Sequence, residues 1–290
     1  MKASVTTAIA AMSAYRSNRC ILLLFALLLL GGRPLGAQTI PVGERVQSGE
    51  RVEYELYFKW GLLMPRAGYA TLAIRDTSYT GQPGIHYRLL FRTVGIFERI
   101  YSMRDTIDCR FTPEFLLLHS EKRSDEGDYY SVDALTFHYA DEAITAHSLR
   151  YTPSRVKIDT TLCATEQRMY DMLGATLYLR SLDWNEMQSG DSFPFNVAIG
   201  RDVVNISFRY TGQQIVERGH VKYRTRHFYI DIYDEAFTQS KEAAEIWIGD
   251  DANHLPVKIR AKLKIGAAEV YYHASEGLRY PLDCRVEIRR

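Results

Sequence analysis

Between Val257 and Ile265 apolar and cationic residues alternate without a break. Val257, Ile259, Ala261, Leu263 and Ile265 interleave with Lys258, Arg260, Lys262 and Lys264. An extended strand with one buried face accommodates that order, because its successive side chains point to opposite sides. A slip of one residue would bury four cations, so the facing is strongly specified. The pattern recurs in Val52, Tyr54, Leu56 and Phe58, set against Arg51, Glu53, Glu55 and Lys59. It recurs again in Ile85, Tyr87, Leu89, Phe91 and Thr93, with His86, Arg88 and Arg92 opposite. Similar runs lie around 67–75, 114–122, 128–139, 203–210, 222–233, 244–249 and 267–273, punctuated by turn residues such as Gly81-Gln82-Pro83-Gly84. The periodicity predicts an antiparallel sheet protein, and 20 Tyr and 12 Phe suit one.

One segment departs from this rhythm. From Thr165 to Leu182 the residues Met169, Met172, Leu173, Leu177 and Leu179 mostly follow helical spacing, with Thr165 as N-cap and Glu166 in the first turn. Gly174 weakens that helix, which would rely on packing against a sheet. The expected fold is mainly β: an antiparallel β-sandwich or a curved open half-barrel with one covering helix near 165–182. Strand-rich stretches at 45–160 and 190–275, joined by the helix, form one domain over 38–290.

Residues 1–37 carry Lys2, Arg16, Arg19 and Arg33, no acidic residue, and the apolar run Ile21–Leu30. Ten apolar residues are too few to span a bilayer as a helix, which takes about 20. A basic lead, a short apolar centre and the small residues Gly36 and Ala37 describe a signal peptide cleaved near Ala37. The expected location is the periplasm or outer envelope, with no transmembrane segment in the mature chain. Cys109, Cys163 and Cys284 would remain, and in an exported protein two of them can pair. The whole chain balances 36 basic against 35 acidic residues, which argues against nucleic acid as a partner.

The common catalytic signatures are absent: no G-x-S-x-G, P-loop, G-x-G-x-x-G, H-E-x-x-H or C-x-x-C occurs. Weaker groupings remain. Asp250, Asp251, Asn253 and His254 offer oxygens to a hard cation, although Asp and Asn also favour turns. Asp105, Asp108 and Glu114, near Tyr101, Arg104 and Cys109, are candidate carboxylates for acid–base work on a glycan, or simply solvated strand charges. His138 and His147 would meet across a hairpin, but spacing suggests no third metal ligand. The row Lys258, Arg260, Lys262 and Lys264, and more weakly Lys222, Arg224 and Arg226, would hold anionic groups or protect an edge. Asp105-Thr106-Ile107 and Asp159-Thr160-Thr161 resemble an acceptor used in some bacterial O-glycosylation.

The strand ends also form an ordered pattern. It runs from Gly49-Glu50-x-Val52-x-Tyr54 into Tyr57-Phe58-Lys59-Trp60-Gly61, then Ala67-Gly68-Tyr69-Ala70-Thr71-Leu72 and Val94-Gly95 before Tyr101-Ser102-Met103-Arg104-Asp105. Tyr170-Asp171-Met172-Leu173, Tyr178-Leu179-Arg180-Ser181-Leu182-Asp183 and Gly190-Asp191 follow. Trp247-Ile248-Gly249-Asp250-Asp251 with Leu255-Pro256-Val257-Lys258-Ile259, then Lys264-Ile265-Gly266, completes it. Across residues 45–275 the chain resembles the bacterial exported β-rich family catalogued as domain of unknown function 3108. The resemblance implies an exported β-dominated domain and brings no catalytic residues.

The functional expectation is a non-enzymatic binding or accessory module of the cell envelope, without metal or cofactor. Its ligand would be apolar or amphipathic, such as a lipid, with Met169 and Met172 as part of the motivation. The alternatives are a structural subunit of an envelope complex and a carboxylate-dependent hydrolase of envelope polysaccharide.

Overall fold

The alternating runs pair with their neighbours in chain order, as short turns between amphipathic strands require. The computed structural model describes residues 39–140, 143–164, 168–233, 240–263 and 265–287. The expected leader, Thr165, Glu166 and Lys264 lie outside them.

The first half is a meander of β1 (Arg51–Lys59), β2 (Arg66–Tyr79), β3 (Gln82–Thr93), β4 (Arg104–Phe111), β5 (Leu117–Glu126), β6 (Tyr129–Tyr139), β7 (Ile144–Thr152) and β8 (Arg155–Ala164). The short β9 (Met169–Tyr170) precedes a second meander: β10 (Ser192–Ile199), β11 (Asp202–Arg218), β12 (Val221–Tyr233), β13 (Ser240–Gly249), β14 (Pro256–Lys262) and β15 (Ala267–Glu276). β15 pairs with β1, from Arg51 opposite Glu276 to Lys59 opposite Ala267, and so joins the halves into one sheet. A last strand, β16 (Arg285–Glu287), adds to the free start of β12. Every pairing is antiparallel except β9 with β10.

This is one sheet, not the two of a sandwich, and it curls until its ends approach. Ser148 of β7 donates to the Gly200 carbonyl at 2.6 Å, and Arg201 donates to the Lys157 carbonyl at 2.8 Å. Side chains thus bridge the gap that strand pairing leaves open, and the result is a nearly closed barrel.

The helix expected over 165–182 is shorter and differently placed. A six-residue helix, α1 (Gly95–Ile100), links β3 to β4, whereas the segment in question yields only α2 (Gly174–Ser181). Met169 and Tyr170 are captured by the edge of β10. Asp171 then turns the chain: its carboxylate accepts from the amides of Leu173 and Gly174, at 3.3 and 2.7 Å, and supplies the missing N-terminal acceptor. Gly174 is there for space, since a Cβ would stand 2.7 Å from the Asp171 carboxylate and 3.3 Å from Leu117. α2 does not cover the sheet. It runs inside, buried at Ala175, Leu177, Tyr178, Leu179, Arg180 and Ser181, so it has no solvated face to show amphipathic spacing.

Side chains from both halves close on it. Leu177 joins Ile74, Phe111, Leu117 and Phe137, while Tyr178 packs against Phe195 and Phe208. Met169 is buried in the first cluster, but Met172 is 61% exposed, so the two methionines form no common surface. One buried ion pair fixes the helix lengthwise. Arg180 donates to both Glu50 oxygens, at 2.5 and 3.0 Å, and to the Asn253 carbonyl at 3.1 Å, with both charged residues almost fully enclosed.

The three cysteines among the described residues are unpaired, with Cys109 and Cys284 buried and Cys163 exposed. The alternation at β14 holds for Val257, which is buried, but ends with the strand: Leu263 and Ile265 are 47% and 66% exposed. Among the described residues no helix is long and apolar enough to cross a membrane.

Candidate functional site

The face turned away from α2 is built from the polar half of each alternating strand. Cross-strand ion pairs occupy much of it, as opposite charges on neighbouring strands allow. Arg260 reaches Glu245 at 3.6 Å and Glu269 at 3.7 Å, and Lys262 reaches Glu242 at 3.9 Å. Lys258 lies over the Trp247 ring at 4.4 Å, and burial lowers its pKa. The described members of the cationic row therefore already have partners and leave no free anion site. Lys222 and Arg226 are likewise held by Glu217 and Asp250, at 3.5 and 2.9 Å.

The remaining sequence groupings separate. Asp105 and Asp108 point to opposite faces of β4. Asp105 meets Lys122 at 3.6 Å, and burial raises its pKa. Burial would also raise Asp108, but hydrogen bonds from His86 and Arg88, each 2.5 Å, carry it well below the carboxylate range. Glu114 is exposed in the turn before β5. His147 pairs with Asp159 at 2.8 Å, while His138 stands opposite Thr145, and no cluster that would hold a metal occurs among the described residues.

In the 250–254 turn Asp250 binds Arg226 and Gln213, and Asp251 accepts from the amides of Asn253 and Cys284. Asn253 receives the Tyr280 amide and donates to the carbonyls of Tyr280 and Pro281. His254 stacks on Trp184 with centroids 3.5 Å apart. Those oxygens are committed to protein donors, so the turn is a structural hub and not a cation site. Thr106 and Thr160 of the acceptor-like tripeptides both sit within paired strands.

What the sheet order does assemble is a groove of about 560 Å³ across the outer faces of β15, β1, β2, β3 and β4. Tyr69, Thr71 and Leu90 line it, with His273, the cations Arg51, Arg92 and Arg104 and the carboxylates Glu53 and Asp105. Arg51 is held by Glu53 at 2.7 Å and Arg104 by Glu98 at 2.5 Å. Arg92 stacks over Tyr69 at 5.9 Å and has no carboxylate within ion-pair distance among the described residues. A smaller depression of about 160 Å³ adjoins, sharing Arg51, Thr71 and Leu90 and adding Arg75 and Arg88. The groove thus offers an apolar strip bordered by guanidinium groups, a combination suited to an anion with a nonpolar body.

Of its lining only Arg104, Asp105 and Thr106 belonged to candidate groupings in the sequence. The others lie up to 222 residues apart, between Arg51 and His273, and meet only because β15 pairs with β1. One local signal exists: Leu90 is an apolar residue on the polar side of β3, between Arg88 and Arg92, and is 46% exposed.

The family described as "Protein of unknown function (DUF3108)" matches residues 53–272, which includes the hub turn, α2 and the groove apart from Arg51 and His273. The chain belongs to that family. No curated protein matches it. Among solved structures it is similar to a β-barrel-like protein of domain of unknown function DUF1849 from Brucella abortus. That match has 9% identity and a TM-score of 0.53, and covers 80% of this chain and 98% of the other. This DUF3108 chain and that protein share a fold, and at such identity nothing further passes between them.

Proposed function

We propose that this DUF3108 protein is a non-enzymatic binding or accessory module of the cell envelope, exported through its leader. Its ligand is an anionic amphipathic molecule, such as a lipid, held in the outer groove. The observation that carries the reading is Arg92 beside exposed Leu90: a guanidinium with no carboxylate in direct contact, next to an apolar strip, in a concavity of ligand size. The interior favours the outer site over an enclosed one, since α2 and the aromatic side chains around it occupy the barrel. The dispersal of Asp105, Asp108 and Glu114 supports a binding role over carboxylate catalysis, which needs two such groups about 5–9.5 Å apart.

The test is native mass spectrometry of the protein recovered from its own envelope, under gentle and then harsher activation. The expected result is a bound mass released on activation from the native protein and absent from Arg92→Glu. A bare protein mass, or a ligand retained equally by Arg92→Glu and Leu90→Glu, would overturn the assignment.

A further inference from the structure

One end of the barrel carries apolar side chains that the fold leaves in water. The β1–β2 turn exposes Trp60 at 59%, Leu62 at 104% and Leu63 at 63%. It is not a loose loop: Trp60 and Leu63 exchange both backbone hydrogen bonds at 2.9 Å, so the apolar tip is held outward by the strands. Beside it α1 exposes Ile96 and Ile100, at 62% and 75%. On the other side the β14–β15 connection exposes Leu263 and Ile265.

These segments are neighbours. Phe97 of α1 packs edge-on to Phe58 with centroids 6.1 Å apart. Gly266 lies so close to the Lys59 carbonyl that a Cβ would collide with it. The Val94 amide donates to the Ala67 carbonyl at 3.0 Å. Sheet order makes the arrangement unavoidable, because antiparallel pairing puts the three connections at the same ends of β14, β15, β1, β2 and β3.

The sequence around each tip is cationic. Lys59 and Arg66 flank the first, Arg92 and Arg104 flank the second with Glu98 and Arg99 inside it, and Lys262 precedes the third. Lys59, Arg66, Arg104 and Lys262 are paired with Glu269, Glu55, Glu98 and Glu242, which leaves Arg92 and Arg99 without a carboxylate within ion-pair distance among the described residues. No charged residue lies between Trp60 and Pro65. Leucine, isoleucine and tryptophan tips beside the open guanidinium groups of Arg92 and Arg99 match an anionic bilayer, where apolar tips enter the acyl boundary and cations meet head groups. A second copy fits worse, because self-association through this end would bring Arg92 and Arg99 of both copies into one interface without added carboxylates. We propose that this end of the barrel docks on an anionic membrane surface.

Arg92 and Arg104 also line the groove, but Leu62, Leu63 and Arg99 do not, so variants at those three positions test this inference apart from the groove ligand. Thr39–Arg290 form a compact unit that contains the whole sheet, so that unit is the sample. It is mixed with vesicles of phosphatidylglycerol or of phosphatidylcholine, and co-sedimentation and tryptophan emission are recorded. The expected result is binding to phosphatidylglycerol that weakens with salt, with a blue shift that disappears in Trp60→Phe. Leu62→Ser/Leu63→Ser should lower partitioning about tenfold or more, since burying one leucine is worth roughly 1.5–3 kcal/mol. Arg99→Glu should weaken binding with the apolar tip intact, and circular dichroism checks that each variant keeps its sheet. Equal partitioning of native and double-serine protein, or no binding to phosphatidylglycerol, overturns the proposal. So does concentration-dependent self-association that the double-serine variant abolishes, which would make the end a contact between copies.

Discussion

Replacing Arg180 by Met isolates the one charge pair that ties α2 to the sheet. Arg180 is 2% exposed and Glu50 3%, so water cannot take over when either partner is lost. The substitution removes two charge-assisted hydrogen bonds to Glu50, one to the Asn253 carbonyl and a longer one to the Arg45 carbonyl. The larger loss is the carboxylate left buried without its counter-charge. Breaking such a pair from one side typically costs about 3–5 kcal/mol, against roughly 1 kcal/mol for an ordinary hydrogen bond. At about 2–4 °C per kcal/mol for a domain of this size, the melting temperature should fall by roughly 6–20 °C. Arg180→Met/Glu50→Leu removes both charges and should be more stable than Arg180→Met alone. The assay is urea unfolding followed by tryptophan emission. Trp184 serves as a nearby reporter, because it stacks on His254, whose ring nitrogen donates to the Arg180 carbonyl at 2.9 Å. A loss under about 1 kcal/mol for Arg180→Met, or additive losses in the double variant, would refute the reasoning.

Three further outcomes follow from the same packing. Burial lowers the pKa of His254 from 6.5 to about 3, so between those values the unfolded chain binds a proton that the folded one refuses. Stability therefore falls on acidification, by about 2 kcal/mol at pH 5 relative to pH 7 from this group; His254→Asn, which tolerates the local φ of 50°, should flatten that slope in urea titrations at the two pH values. Of Cys109, Cys163 and Cys284, a thiol reagent should modify Cys163 alone in the folded protein, because burial raises the pKa of both Cys109 and Cys284; fast reaction at all three before denaturation would contradict the packing. Gly68→Ala should destabilise by a few kcal/mol or prevent folding, since its Cβ would collide with the Arg92 carbonyl across β2 and β3, and an unchanged urea midpoint would count against that close approach.

What could be read in advance divides along a physical line. Strand identity and facing were legible because period-two alternation is a local property, enforced residue by residue by the cost of burying a charge. Val52 and Tyr54 face inward and Arg51 and Glu53 outward for that reason alone. α2 was misjudged because a helix enclosed on every side has no polar stripe. Its start is set by Asp171 and by the neighbours of Gly174, and the β10 edge takes the two residues that helical spacing would have assigned to it. The 250–254 cluster was legible as a turn and illegible as a hub, because its partners Arg226, Tyr280 and Cys284 come from distant stretches of the chain.

The groove and the apolar end were hidden for a related reason, and both left a trace of the same kind. Each depends on the pairing of β1 with β15, a contact between the two ends of the folded chain that alternation permits but does not specify. Each also contains apolar residues on the wrong side of the pattern: Leu90 among arginines, and Leu62 and Leu63 in a turn where polar residues are the rule. Folding gains nothing from leaving those side chains in water, and their neighbours would be satisfied by polar replacements. Such departures are where the proposed ligand and membrane contacts lie, although Val156 of β8 and Ile215 of β11, each 59% exposed, break the alternation as well.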